Sequence, residues 1–340
     1  MGESLLWRRG AAIILGAGLI ASAASPAIAA AQASPVRSAA AREAGPNSGI
    51  RVQCVAISHV NDKKAIAMAR AIDARLRYRA SVVGLYETDT RTGITCQWHA
   101  AWHFWAASAI KVTILSALLV KLEAEHKQMT DAQKGLAWLM ITQSDNSAAN
   151  ILLYQVGYEN MQRFLNLAGM SQTVLSPYWG LTLITPHDEA RLLTLLSTPN
   201  RLLTMANRIY VRYLMAHVVA WQRWGVTAGA PRSVTAHIKN GWLPWPPPRY
   251  TWEINSLGIF TSPHRVYLIV ILTRRNPSMT YGVDTIQGAA MAIQGALNPR
   301  AADLTPPMAP QLTWGTPDET IPGWVRAGTG QLGAARRSGR

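Results

Sequence analysis

Acidic side chains are scarce in this chain: 18 Asp and Glu stand against 33 Lys and Arg, a formal net charge of +15 over 340 residues. Charged residues as a whole are few, 15% against 49% hydrophobic, which excludes a chain disordered throughout. Lysine is rare as well, 7 in all, so arginine carries the basic excess. Such a balance points to an anionic partner, nucleic acid or a cell surface. The sequence has no Arg-rich helix, zinc spacing or aromatic RNA-binding signature, and nucleic acid is therefore set aside. Cysteine is limited to Cys54 and Cys96, too few to hold zinc on their own. His99 and His103 lack the intervening Glu of a metalloprotease helix, so neither a metal nor another cofactor is expected. No internal repeat is present. The length suits one large domain or two ordinary ones.

What is there begins with the N-terminus. Arg8 and Arg9 precede an uncharged run, Ala11–Ala33, whose centre, Ala12–Ile20, is apolar and whose end is small (Ala27-Ile28-Ala29, then Ala31-Gln32-Ala33). That order predicts a secretory signal peptide over residues 1–33 and an exported, extracytoplasmic protein. An uncleaved membrane anchor suits the length of the run, but Pro26 and the dominance of alanine count against it. In an oxidising compartment Cys54 and Cys96 either bridge or stay apart. A bridge would close a loop of some 40 residues, about 4 kcal/mol on the chain-entropy estimate.

Residues 34–59 read as a linker and N-terminal extension, and residues 299–340, rich in Pro, Gly and Ala and ending in Arg-Arg-Ser-Gly-Arg, as a disordered basic tail. Between them, residues 60–298 form the folded domain. Helical spacing is found at 62–77, and Ser81–Glu87 and a run from Ile94 make a hairpin around Thr90–Gly93. An almost wholly apolar helix starts at Ala107 and runs through Val120. Further helices are expected at 131–143, 146–156, 159–168, 187–196 and 201–221, then strands at Ser233–Ile238, Tyr250–Thr261 and Val266–Thr273, and a last helix at 282–297. Strands, a helical block and strands again predict an α/β chain of the α+β type. Its antiparallel sheet is built from both chain ends, with the helical block inserted between its strands.

Three short motifs carry chemistry. Ser108 and Lys111, three apart at the start of the buried helix, share a helical face. A hydroxyl needs a base to attack a carbonyl, and a desolvated ammonium loses its proton readily, so the pair makes an activated nucleophile. Ser144-Asp145-Asn146 adds a second hydroxyl for proton relay and an amide that both donates and accepts; the same tripeptide is also good helix N-cap material. Lys239-Asn240-Gly241 ends the strand Val234–Ile238, placing a cation and then a bare backbone at a strand edge, although a plain strand-to-turn transition reads the same way. Each motif alone is weak.

Together, in this order and on these elements, they resemble the serine penicillin-recognising enzymes, the class A β-lactamases and their DD-peptidase relatives. The resemblance spans roughly 60–298 and includes Ile141–Asn150 and Ile184-Thr185-Pro186. It implies that Ser108 is acylated with Lys111 as base, that Ser144 passes the proton to the departing nitrogen, and that Asn146 holds the substrate amide. It further implies that Lys239, Asn240 and Gly241 line the carboxylate side, and that the backbone N–H groups of Ser108 and Trp242 form the oxyanion hole. Asp145 is expected to brace the loop. The substrate implied is a β-lactam or a peptidoglycan stem peptide. A monomer is expected, and the net charge of +15 either holds it near an anionic wall surface or is a plain solvated basic surface.

Three departures stand out. Ser108 and Ser144 are closer in sequence than the family's spacing, and Asn240 replaces the usual Thr. Most seriously, no carboxylate lies between Met170 and Pro186, where class A β-lactamases carry the Glu that activates the deacylating water; Tyr178-Trp179-Gly180 stands there instead. Loss of a positioned base costs typically 10²–10⁴-fold, which predicts acylation with slow turnover. Trp102, Trp105, Trp242 and Trp245 flank the motifs, either stacking on sugar rings or filling core in a chain with 3 Phe. The competing readings are a DD-peptidase or penicillin-binding protein and a non-catalytic wall-binding protein with the same fold. The absence of a G-x-S-x-G elbow disfavours an α/β-hydrolase.

Overall fold

The computed structural model describes residues 51–245 and 250–311. The expected signal peptide, residues 34–50 of the linker, Pro246-Pro247-Pro248 and residues 312–340 of the tail lie outside that range.

Runs rich in β-branched and aromatic residues make the strands, and six of them form one antiparallel sheet in the order β1-β3-β2-β8-β7-β6. The N-terminal half supplies β1 (Gln53–Ala56), β2 (Val82–Asp89) and β3 (Ile94–Trp98). The C-terminal half supplies β6 (Thr235–Pro244), β7 (Trp252–Ser262) and β8 (Arg265–Asn276). The halves meet where β2 pairs with β8, Val82 opposite Arg274 through Asp89 opposite Tyr267. The expected sheet from both chain ends is therefore present. One face is covered by α1 (Asp62–Leu76) and α8 (Met279–Leu297), whose Met68, Ile72, Val283 and Ile286 pack with Val83, Leu85 and Ile269. The other face carries the inserted block: α2 (Lys111–Ala124), α3 (Asp131–Trp138), α4 (Asn146–Val156), α5 (Tyr158–Ala168), α6 (Pro186–Ser197) and α7 (Met205–Ala216). A two-stranded ribbon, β4 (Phe104–Trp105) with β5 (Leu183–Ile184), lies beside the start of α2.

Several expectations are corrected. Residues 34–59 are not all linker: Gln53–Ala56 is an edge strand, with Cys54 opposite Cys96 and the two joined as a disulfide. The tail likewise starts as structure. Gly229 and Arg232 donate backbone hydrogen bonds to Thr305 and Asp303, Met308 N–H donates to Gln287, and Arg232 pairs with Asp303 at 3.0 Å. The helix expected at 201–221 spans only 205–216, because Thr204 caps its start by accepting from Asn207 N–H. The helix from Ala107 opens as a 3₁₀ turn, Ala107–Ile110, and the one expected at 131–143 gives way at Leu139–Gln143 to a π-helical turn. Finally, Lys239-Asn240-Gly241 does not end a strand; it lies in the middle of β6.

Candidate active site

Two conformational exceptions mark the site. Ala107, immediately before Ser108, has φ 46°, and Ser144 has φ 62° and ψ 31°. Left-handed backbone at a non-glycine costs on the order of 1–3 kcal/mol and persists only where the surroundings hold it. Ser144 is forced there by the π-turn, which leaves the helical path early; α4 restarts behind it, capped by Asp145 Oδ1 accepting from Ala148 N–H at 2.7 Å. Asp145 thus does the helix-capping that the tripeptide permits, and Ser144 and Asn146 on either side are released for other contacts.

Those contacts converge on two lysines, both fully buried. Lys111 Nζ reaches Ser144 O at 2.6 Å, Asn146 Oδ1 at 2.7 Å and Ser144 Oγ at 3.3 Å. Lys239 Nζ reaches Ser144 Oγ at 2.9 Å and Asn240 O at 3.0 Å. One hydroxyl therefore sits between two amines, and neither amine has a carboxylate in contact among the described residues. Burial lowers the pKa of Lys239 to about 7. Burial first, then the charge of Lys239, hold Lys111 well below the usual amine range, against the weaker field of Asp145. A neutral Lys111 has two N–H groups for the two carbonyl oxygens and keeps a lone pair for a hydroxyl. The arrangement can accept a proton and hand it along Ser144.

Ser108 lies one turn before Lys111, half-buried, in the 3₁₀ turn that opens the helix. Strand β6 presses on that turn at Gly241. A Cβ on Gly241 would lie 2.8 Å from Ala106 O and 2.9 Å from the backbone N of both Ala109 and Ser108. The glycine is thus required for β6 to touch the Ser108 turn itself. Because β6 is the outermost strand, one of its edges is unpaired, and the first N–H groups of the turn have no intrahelical partner.

Asn240 is the residue the structure removes from the expected binding set. It is fully buried, its Nδ2 donates to Gln222 O and Trp224 O, and its Oδ1 accepts from Ser256 Oγ at 2.6 Å. Side chains alternate across a strand, so Lys239 and Gly241 face the site while Asn240 braces the far side. The Trp242 ring packs edge-on against Trp224, with 5.9 Å between centroids, and only its backbone is placed to serve the site.

Sequence reasoning placed Trp179 in the loop but missed what it does. Its ring faces Lys111 Nζ at 4.9 Å, and its indole N–H donates to Asn150 Oδ1 at 2.7 Å. An aromatic face thus stands over the amine in the segment where a carboxylate was sought. Of the nearest acids in sequence, Asp188 is occupied, accepting from Gln172 N–H and Thr173 Oγ1, and Glu189 is buried without a hydrogen-bond partner, its pKa pushed up to about 8.

Residues 132–297 match the model of the beta-lactamase enzyme family. The matched span contains Ser144–Asn146 and Lys239–Gly241 and starts after Ser108 and Lys111; Lys111 is tied to the site by its hydrogen bonds to Ser144 and Asn146, and Ser108 by the contact of Gly241 with its backbone. No curated protein matches the chain in sequence. Among solved structures the chain is similar to a class A beta-lactamase from Bacteroides cellulosilyticus DSM 14838, with TM-score 0.60 and 17% identity over 68% of this chain and 98% of that one. It is similar to PBP-A, with TM-score 0.59 and 19% identity over 68% and 96%. A PBP-A mutant in an acyl-enzyme complex with penicillin G gives TM-score 0.58 and 18% identity over the same shares. The chain is thus β-lactamase-like: it has the fold of the class A β-lactamases and PBP-A, and a family match over residues 132–297.

Proposed function

We propose that this protein is a serine acyl-transfer enzyme that opens a β-lactam ring or an acyl-D-Ala amide through an acyl-enzyme on Ser108, and then deacylates slowly. The observation that carries the reading is the meeting of two buried amines on the Ser144 hydroxyl beside the Ser108 turn. Lys111 takes the Ser108 proton as the hydroxyl attacks the carbonyl carbon. The proton then passes through Ser144 to the departing nitrogen. Asn146 holds the amide side chain of the substrate, Lys239 faces its carboxylate, and the N–H groups of Ser108 and Trp242 receive the developing oxyanion.

Slow deacylation is supported by the loop. It offers Trp179 in place of a carboxylate, Asp188 is occupied, and Glu189 stays protonated at neutral pH. The same observation favours, as a second reading, a penicillin-binding protein or DD-peptidase over a β-lactamase of high turnover. Export through the basic and apolar N-terminus is part of the proposal, and a Cys54–Cys96 bridge suits an oxidising compartment. So is a monomer held near anionic wall polymers by its net charge of +15. The test is labelling with a fluorescent penicillin. Wild type becomes covalently labelled and Ser108→Ala does not; an unlabelled wild type would leave a wall-binding protein with this fold.

A further inference from the structure

Two polar residues of β7 reach the backbone just ahead of the nucleophile. Asn255 Nδ2 donates to Trp105 O at 2.7 Å and to Ala106 O at 3.1 Å. Glu253, two residues earlier on the same face of the strand, accepts from the Trp245 indole N–H at 3.3 Å and from the Trp105 backbone N–H. The Trp245 ring in turn lies against the Trp105 ring, with centroids 3.5 Å apart. Both polar side chains are buried, Asn255 fully and Glu253 to 3% exposure. Glu253 Oε2 and Asn255 Oδ1 have no hydrogen-bond partner, an arrangement costly enough to need a reason.

The reason lies one residue on. Ala107 is held left-handed between Ala106 and Ser108, and β6 bears on this turn through van der Waals contact at Gly241. The β4–β5 ribbon and the Ala106 N–H bond to Thr182 O hold the segment on one side, and the directed hydrogen bonds from β7 to Trp105 and Ala106 fix it on the other. We propose that Glu253 and Asn255 are positioning residues, a clamp on Trp105–Ala106 that keeps Ala107 left-handed and so presents Ser108 to its base. Touching neither substrate nor Ser108, they act through the backbone.

The clamp is sensitive to alkali. Burial raises the Glu253 pKa to about 8, offset in part by the Trp245 and Trp105 hydrogen bonds and by the charges of Arg274 and Arg275 on β8, the cations that face it. Neutral Glu253 is compatible with its dry site; the ionised form is not, and its formation draws the carboxylate toward water and loosens the turn.

This inference rests on the acyl-enzyme reading, and its test separates the two. The second-order rate of labelling by a fluorescent penicillin is measured from pH 6 to 9.5 for wild type, Glu253→Gln and Asn255→Ala, with melting temperature as the check on folding. Glu253→Gln keeps the shape and hydrogen bonds and cannot ionise. It should label like wild type at pH 6.5, then keep its rate where wild type declines above pH 8. Asn255→Ala should lose on the order of 10²-fold in the acylation step at every pH, with the concentration for half-maximal rate little changed. Identical alkaline limbs for wild type and Glu253→Gln, or an Asn255→Ala that acylates normally, would overturn the clamp. No labelling of any protein would instead overturn the function on which it rests.

Discussion

Lys111 and Lys239 are the chemical centre of the account, and the protons they carry set its pH dependence. Lys111 must be neutral to act as the base, and burial together with the charge of Lys239 holds it well below the usual amine range, so acylation should rise with pH from the acid side and need no alkali. Lys111→Ala should lower the labelling rate by roughly 10²–10⁴-fold, the usual worth of a positioned base. Lys111→Arg should not rescue it, because a guanidinium does not release its proton at these pH values. The second informative position is Ser144. Ser144→Gly suits the left-handed backbone and should melt no lower than wild type, yet acylate far more slowly for want of the relaying hydroxyl. A glycine variant that acylates at the wild-type rate would remove Ser144 from the relay. These residues were legible in the sequence because three motifs, each weak alone, fall in one order on the expected elements. Asn240 was misassigned because a strand's alternation is invisible when its polar residues are taken for the end of the strand.

Elements carry these residues, and their fit is tight at one point. Gly241→Ala would set a methyl 2.8–2.9 Å from three backbone atoms of the Ser108 turn, none of which can swing aside as a side-chain tip would. The variant should melt lower than wild type and label more slowly, on the order of 10²-fold for an ångström of displacement. Equal melting and labelling would show that β6 does not bear on the turn. At this scale the sequence was only partly readable. The helices with clean 3.6-residue spacing and a capping residue, such as α6 behind Thr185-Pro186, were found nearly to the residue. The π-turn at Leu139–Gln143 was not, since its apolar residues keep helical spacing and nothing local announces the extra residue per turn. β1 was missed because Gln53–Ala56 is four residues long and is fixed by pairing with β3 and by the disulfide rather than by a hydrophobic run.

Over the whole molecule, buried ionisable groups shape stability. Glu189 is fully buried and its folded-state pKa is raised from 4.5 to about 8. The unfolded chain releases that proton first, so between those two values stability falls with rising pH, by up to about 1.4 kcal/mol per pH unit. Glu189→Gln should therefore melt higher than wild type at pH 8 and converge with it below pH 4.5; thermal melts across that range decide it, and a gap that does not grow with pH would contradict the assignment. Lys239 acts with the opposite sign at higher pH, its lowered pKa adding stability from about 7 up to its unfolded value of 10.5. The sheet's origin in both chain ends was legible because strand patterns bracket a long helical block. The ordered start of the tail was not, because Asp303 and Thr305 are held by backbone hydrogen bonds with Gly229, Ala230 and Arg232, which leave no hydrophobic period to read.

The most direct test of the central claim is intact-mass spectrometry of the protein mixed with penicillin G and then diluted into buffer. The account predicts one added penicillin per chain, lost on Ser108→Ala and persisting over minutes in wild type. An unmodified mass with the penicillin intact would contradict acylation, and an adduct gone within seconds would contradict slow release.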